Sequence, residues 1–326
     1  MAARICAGPG RELSTALAAG CSAWALARFA GADGLPVIGA PAAAFLPFTP
    51  VAAAGAWLAA FLLQDRRIAL GALALSAATL PRAIPRSQPP AAGAELRILT
   101  ANLLVGRAGA SSVAELVRRT RADVFFLQEL GSGTMARLAS EGLEDELPHV
   151  ITDLAAPEPR GNAIYARYPL KAEPNPLPTS SIQPVALLGL PGGEVRLGCV
   201  HLHTPRRPWQ QEGVSRWRAD LASAAEFPVL GWPGDVPVIL AGDFNATIDH
   251  IGFRRLLRLG LKDAAAETGK GLVPTWGPLP GRGALLTLDH VLVDARCAVA
   301  ASSVHRLPGT DHRAVFARVR LPAAGP

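Results

Sequence analysis

The hydrophobic pattern divides the chain into two regimes. From Leu13 to Gln64 only Arg28 and Asp33 carry charge, and three apolar stretches can be drawn, about Leu13–Ala32, Pro36–Leu63 and Ile68–Ile84. A spanning helix needs roughly 20 mostly apolar residues. The second stretch meets that, although Pro41, Pro47 and Pro50 crowd its first part. The third is short and stops near Pro81. Residues 1–86 therefore read as a membrane region with two to three transmembrane helices. Residues 87–94 are small, Pro-rich and without periodicity, as in a linker.

From Glu95 the pattern is that of a globular domain, 95–322. Leu96–Asn102 and Asp123–Leu127 read as strands, and so do Asn162–Tyr165, Val185–Leu190 and Val195–His203. Pro191-Gly192-Gly193 joins the last two as a hairpin. Val238–Leu240, Thr287–Val293 and Arg313–Val319 complete the strands. Helical spacing appears at Ser111–Arg121, Thr134–Leu147, Glu212–Ala225 and Phe253–Leu259. The pattern predicts two packed sheets with helices outside them.

Charge sharpens the division. Seven of the 32 Lys and Arg and three of the 26 Asp and Glu precede Glu95, so the domain is nearly neutral. A nonspecific nucleic-acid binder carries a strong basic footprint, which this domain lacks. Basic residues also orient membrane segments. Arg4 and Arg11 precede the first stretch, and Arg66 and Arg67 sit between the second and third. That places the N-terminus and the Gln64–Arg67 link inside and the globular domain outside the cell. Arg82 and Arg86 pull the other way, and a third stretch that failed to span would put the domain on the cytoplasmic side. Cys199 and Cys297 read as buried free thiols.

Polar groups recur where the strands end. Asn102 follows Ile-Leu-Thr-Ala, and Glu129 follows Val-Phe-Phe-Leu-Gln. His201 and His203 close one strand. Asp243 and Asn245 follow Val-Ile-Leu-Ala-Gly, Asp289-His290 sits in Leu-Asp-His-Val-Leu-Val, and Asp311-His312 precedes Arg-Ala-Val-Phe. A carboxylate at one strand end is common in turns. Six such segments point to a common rim where acids, imidazoles and amides converge. His290 faces away from Asp289 in an extended strand and reads as structural. Asn162, beside Gly161, reads as a turn residue that could also touch substrate.

This ordered set, with Pro274-Thr275-Trp276 ahead of Leu288-Asp289-His290, resembles the endonuclease/exonuclease/phosphatase superfamily over residues 95–321. The whole chain is similar to membrane-anchored actinobacterial members of teicoplanin-resistance type. The resemblance implies a four-layer α/β sandwich, a divalent cation and phosphoester hydrolysis. Mg2+, with Mn2+ as a substitute, would take oxygen from Asn102, Glu129 and Asp311. Asp243 would orient or deprotonate water, and Asn245 and His201 would donate to phosphate oxygens. Asp311 would fix the tautomer of His312, a base or an electrostatic clamp, and Asp289 would hold a second metal or His201.

The expected function is a membrane-anchored, Mg2+-dependent phosphatase or phosphodiesterase. Its partners would be the membrane and a lipid-linked phosphate, such as a polyprenyl carrier of cell-wall precursors, with a link to glycopeptide resistance. Nucleic acid is the less favoured substrate. A surface nuclease of the DNase I type and a non-enzymatic binder of phosphorylated or glycopeptide ligands are the rivals.

Overall fold

Strands that read as continuous apolar runs are buried on both faces. The computed structural model, which describes residues 9–30, 48–154, 161–175, 182–205, 211–227, 236–280 and 283–323, shows why. Two six-stranded sheets pack face to face. The first is built from β1 (Glu95–Asn102), β2 (Val124–Leu130), β3 (His149–Asp153), β4 (Gly161–Ala166), β11 (Ala298–Arg306) and β12 (Arg313–Arg320), in the order β11-β12-β1-β2-β4-β3. The second holds β5 (Leu170–Glu173), β6 (Ile182–Leu190), β7 (Gly193–His201), β8 (Val238–Asp243), β9 (Leu261–Asp263) and β10 (Asp289–Asp294), in the order β5-β6-β7-β8-β10-β9. Neighbours pair antiparallel except β1 with β2 and β7 with β8.

Alternation along each strand sorts side chains between two environments. Leu96, Ile98, Val124, Phe126, Ile164, Leu197, Cys199, Ile239, Ala241 and Val291 meet between the sheets. Leu99, Phe125 and Tyr165 face outward onto α4 (Ala110–Thr120), α5 (Ser132–Ser140) and α6 (Leu143–Glu146). Val200, Leu240 and Leu292 face α7 (Gln211–Ala224) and α8 (Ile251–Arg258) on the other side. Helix, sheet, sheet and helix make the expected α/β sandwich. Cys199 and Cys297 are buried and free.

The helix expected over Thr134–Leu147 is two, broken at Glu141 and at Gly142, whose φ of 78° is left-handed. The sequence reading did not separate out β3, β5, β9, β11 or the one-turn α9 (Ala264–Glu267). These are short, or half-exposed without clean alternation, as β11 is.

The N-terminal helices are α1 (Pro9–Ala30), α2 (Thr49–Leu63) and α3 (Arg66–Ala83). No described helix is long and apolar enough to cross a membrane, so the two to three expected spans are not found. At about 1.5 Å per residue the 15 residues of α2 reach only about 22 Å. Arg66 and Arg67 open α3, and Glu12 lies in the first turn of α1. Residues 31–47, which include part of the second expected span, lie outside the described residues.

These helices pack through small side chains. Ala25, Ala53, Ala56, Ala60 and Ala72 join Ile68 and Leu75 inside. Gly71 lies so close to α1 that a Cβ there would stand 2.8 Å from that of Cys21. Two indoles tie the helices together, Trp24 Nε1 donating to Thr49 Oγ1 (2.8 Å) and Trp57 Nε1 to Ser76 Oγ (3.2 Å).

The stretch read as a linker lies against the sandwich, and so does Arg86 just before it. Arg86 N–H donates to the Glu267 carbonyl (2.9 Å), and its guanidinium pairs with the Glu267 carboxylate (2.8 Å). Gln88 Oε1 accepts from Val299 N–H in β11 (2.9 Å) and from Lys262 Nζ in β9 (3.4 Å). These are edge strands of the two sheets, so one side chain bridges the open side of the sandwich and covers edges that would otherwise invite pairing.

Candidate active site

The site continues the inter-sheet core. Along β1 the inward positions run Leu96, Ile98, Thr100 and then Asn102. Along β7 they run Val195, Leu197, Cys199 and then His201, and along β8 Ile239, Ala241 and then Asp243. Register places His201 beside Asp243, and Asp243 beside Asp289 at the start of β10. One apolar layer thus ends in a polar rim because each strand runs a residue or two past its core. Beneath the rim, Gln128 Nε2 donates to Thr100 Oγ1 (3.3 Å) and to Cys199 Sγ (3.2 Å).

Glu129 needs a bulge to reach the rim. Gln128 takes the inward position of β2, and the pairing with β4 shifts between Leu127 and Leu130. Glu129 adopts φ 56°, uncommon for a non-glycine residue, and a bulge of this kind re-aims a side chain. The loop after β1 is left-handed at Leu104 (φ 46°), Val105 (49°) and Gly106 (70°). A Cβ at Gly106 would run into Thr134 Oγ1. This turn aims backbone donors at the rim, Leu104 N–H at Asn102 Oδ1 (3.0 Å) and Val105 N–H at Glu129 Oε2 (2.9 Å). A β-branched residue in this conformation is strained, and the strain serves to hold Glu129.

Asn102 Nδ2 lies between two carboxylates, 3.2 Å from Glu129 Oε1 and 3.2 Å from Asp243 Oδ2. Asp243 Oδ1 accepts from Asn245 N–H (2.8 Å), and Asn245 Nδ2 reaches Asp243 Oδ2 (3.3 Å) and the Leu202 carbonyl (3.0 Å). Asn245 has φ 47°, which Asn tolerates better than most residues. Gly242 is required because any Cβ would enter the Val200 carbonyl of β7. His201 Nε2 stands 3.6 Å from Glu129 Oε1.

Two expected roles change. Asp289, not Asp311, holds His312, with Nδ1 2.9 Å and 3.0 Å from its carboxylate oxygens. Adjacent residues diverge, so Asp311 and His312 cannot chelate one another well, and Asp311 Oδ1 is 3.9 Å from Nε2. The same geometry commits Asp289 to His312 rather than to His201 or a second metal. Nε2 of His312 faces Asp243 Oδ2 at 3.7 Å. Asp311 is pinned through Oδ2 by Trp276 Nε1 (3.1 Å), while its buried Oδ1 has no hydrogen-bond partner among the described residues.

Electrostatics separates the acids. Burial raises the Glu129 carboxyl, but His201, the Asn102 amide and the Val105 N–H outweigh it and keep its pKa below the ordinary value. Burial and Asp289 lift Asp243 to about 7 against the pull of His312. Burial opposes the charge on His312, yet Asp289 and Asp243 raise its pKa to about 10. At neutral pH the imidazole is therefore an imidazolium, fitted to clamp an anion, and Asp243 is the group poised to take a proton.

Oxygen donors suited to a hard cation stand at Glu129 and at the orphaned Asp311 Oδ1. Asn102 Oδ1 is committed to Leu104 N–H. Ligand atoms of Asp243, Asp289 and His312 also come within 4.8 Å of one another. That trio is a poorer cation site, because His312 Nδ1 is hydrogen-bonded to Asp289.

The roles of two supporting motif residues, Thr275 and Thr310, emerged only from the fold. Thr275 Oγ1 accepts from Leu288 and Asp289 N–H (3.0 Å each) and fixes the start of β10. Thr310 Oγ1 donates to the Asn102 carbonyl (2.9 Å) and accepts from His312 N–H (3.1 Å). Their place beside Trp276 and Asp311 in sequence was the available signal. His290 is structural, bound by Asp263 (2.7 Å) and the Ala246 carbonyl (2.9 Å). His203 is exposed beside the rim.

The Endonuclease/Exonuclease/phosphatase family model matches residues 99–312, which spans every residue named at the rim. The chain belongs to this family. It is a metal-dependent phosphoester hydrolase. No curated protein matches the chain. Among solved structures it is similar to an endonuclease/exonuclease/phosphatase from Beutenbergia cavernae (21% identity, 71% of this chain and 72% of that one, TM-score 0.53). It is also similar to humanized TDP2 of D. rerio (18%, 69% and 98%, 0.53) and to the 3′ phosphatase NExo from Neisseria (21%, 68% and 98%, 0.50). At these identities the likeness shows the fold.

Proposed function

We propose that this hydrolase uses Mg2+ and acts at a membrane surface on a lipid-linked phosphate. A polyprenyl phosphate or pyrophosphate carrier of cell-wall precursors is the expected substrate, which would link the protein to glycopeptide resistance. The observation that carries this placement is the inside-out N-terminal unit. Eleven of the sixteen exposed large hydrophobic residues among the described residues lie on α1, α2 and α3, with Val51 69% and Phe61 71% exposed. Small residues inside and large apolar ones outside suit lipid rather than water. We place the unit at the cell membrane through these exposed apolar faces and propose the outer side for the sandwich.

In the proposed reaction, Asp243 takes a proton from a water that attacks phosphorus, the phosphorus–oxygen bond to the leaving group breaks, and the leaving oxygen takes a proton from solvent. The His312 imidazolium and the Asn245 amide face the phosphate oxygens, and His201 donates to a non-bridging oxygen. A divalent cation held by Glu129 and Asp311 would offset phosphate charge and polarise the ester. Asn102 keeps Glu129 and Asp243 apart at fixed distance.

A second reading, a surface nuclease, draws support from the DNA product bound to the similar NExo and TDP2 structures. The purified full chain with Mg2+, offered vesicles of polyprenyl pyrophosphate, plasmid DNA and a generic phosphodiester, separates the two. Turnover of the lipid, lost in Glu129→Ala, is expected. Turnover of DNA alone would overturn the lipid assignment. A reporter fused after Pro90 tests the side of the membrane.

A further inference from the structure

The sandwich leaves few large apolar side chains in solvent. Among the described residues they are Val150, Ile251, Leu279 and Leu285. Scattered single ones need no explanation, and Val150 and Ile251 lie apart on β3 and α8. Leu279 (54% exposed) and Leu285 (46%) share one loop. Between Gly271 and Leu288 the sequence holds a single charged residue, Arg282. Pro278, Pro280 and Gly283 are exposed beside the two leucines.

The loop is tied to the rim. Trp276 N–H donates to the Leu286 carbonyl (2.8 Å) and Leu286 N–H to the Trp276 carbonyl (3.0 Å), which closes its base. A Cβ at Gly277 would run into the Gly283 carbonyl, so the two arms touch. Trp276 Nε1 donates to Asp311 Oδ2 (3.1 Å), and Gly277 N–H donates to the Asp311 carbonyl (3.1 Å). Asp311 Oδ1 stands 3.9 Å from His312 Nε2, so the base of the loop borders the His312 side of the rim. Leu285 adjoins the closing residue, and Leu279 is three residues past Trp276, no more than about 10 Å along an extended chain. A molecule held at the rim therefore has its next atoms beside this loop. Residues 277–280 and 283–286 carry no polar side chain. Such a surface offers a sugar or a nucleic-acid backbone nothing to replace its lost water, and it favours hydrocarbon.

Resting on the lipid-phosphate reading above, we propose that this loop is a specificity element: Leu279 and Leu285 hold the hydrocarbon chain that the phosphate carries, and so select apolar phosphoesters over polar ones. The chain lies against the loop and does not react. Apolar contact is graded by length, since each methylene taken fully out of water is worth about fourfold in affinity. Length dependence is thus the mark of the loop, whereas the rim itself meets only the phosphate.

The test is calorimetric binding of octyl phosphate against ethyl phosphate, below the concentration at which micelles form. The protein is the full chain carrying Asp243→Asn, in nanodiscs with Mg2+, and empty nanodiscs are the blank. Octyl phosphate is expected to bind at least about tenfold more tightly, which six added methylenes half covered by the loop would exceed. Adding Leu279→Ser with Leu285→Ser should bring the ratio within about threefold. Ile251→Ser, which removes an exposed apolar residue from α8, should leave it intact. Both leucines stand in solvent, so the substituted chain should keep its melting temperature. Equal binding of the two esters, binding of neither, or a ratio that survives the double substitution overturns the proposal. Survival of the ratio together with weaker vesicle flotation would assign the loop to the bilayer itself. Wild-type turnover of polyprenyl pyrophosphate reports on the lipid reading separately. Turnover without a length ratio sinks the role of the loop alone, and a ratio without turnover sinks the substrate assignment alone.

Discussion

The N-terminal helices and the catalytic sandwich bury opposite kinds of side chain. The sandwich hides Phe125, Phe126, Phe244, Phe253 and Trp217 completely, while the helices hide mainly alanines and expose Trp57, Leu58, Phe61 and Leu62. In water, burying large apolar surface drives folding, and the sandwich follows that rule. The helices gain little from it. They are held by close backbone approach at Gly71 and by two indole hydrogen bonds, the forces that remain when the surroundings are as apolar as the side chains. The two parts are packed by different means, and residues 85–88 fasten one to the other.

The largest effect should come from the sandwich alone. Asp243→Asn is expected to lower kcat by about a thousandfold while co-flotation with lipid vesicles is unchanged. A joint loss would mean that the two parts do not act independently. The converse substitution, Phe61→Glu with Leu62→Glu, should reduce vesicle binding more than tenfold, since each large apolar side chain is worth about 1.5–3 kcal/mol on burial. Turnover of a water-soluble ester should stay within twofold. Unaltered flotation would remove the basis for the lipid assignment.

Packing can be tested inside the helical unit. Gly71→Leu should destabilise it by about 1–3 kcal/mol in thermal melts, whereas truncation of its exposed neighbour Leu70 to Ala should change little in detergent. The sandwich carries its own stored cost at Asp243. Its pKa is raised from 3.8 to about 7, so the folded state binds this proton more tightly than the unfolded chain. Stability must then fall as pH rises from about 4 through 7. Metal-free Asp243→Asn should lack that fall and melt a few degrees above the wild type at pH 8. The raised His312 acts in the same direction over a higher window: its contribution is full below 6.5 and is lost as pH passes about 10. The smallest effect belongs to the fastening. Arg86 is 47% exposed in its pair with Glu267, so Arg86→Ala should cost no more than about 1 kcal/mol. It should still speed proteolysis between Ser87 and Ala94, read by mass spectrometry.

Much of the sandwich was legible because alternation and burial agree in β1, β2, β7, β8, β10 and β12. The short β9 and the half-exposed β11 were not, since their pairing depends on edges formed by distant residues. The rim was legible as a set of strand ends, and the family relationship accounts for their order. The helical expectation was right in placing helices N-terminal to the domain and wrong in granting the described ones a membrane-crossing length.

The sequence by itself determined which strands exist, which of their faces is apolar and which polar groups stand at their ends. These follow from the period of two and the chemistry of each residue. The tertiary structure decided who meets whom. His312 lies next to Asp311 in the chain, but its partner is Asp289, 23 residues away on the other sheet. Neighbours in the chain point apart, while residues on facing sheets can point together, so hydrogen-bond geometry at the rim is a property of the packed sandwich.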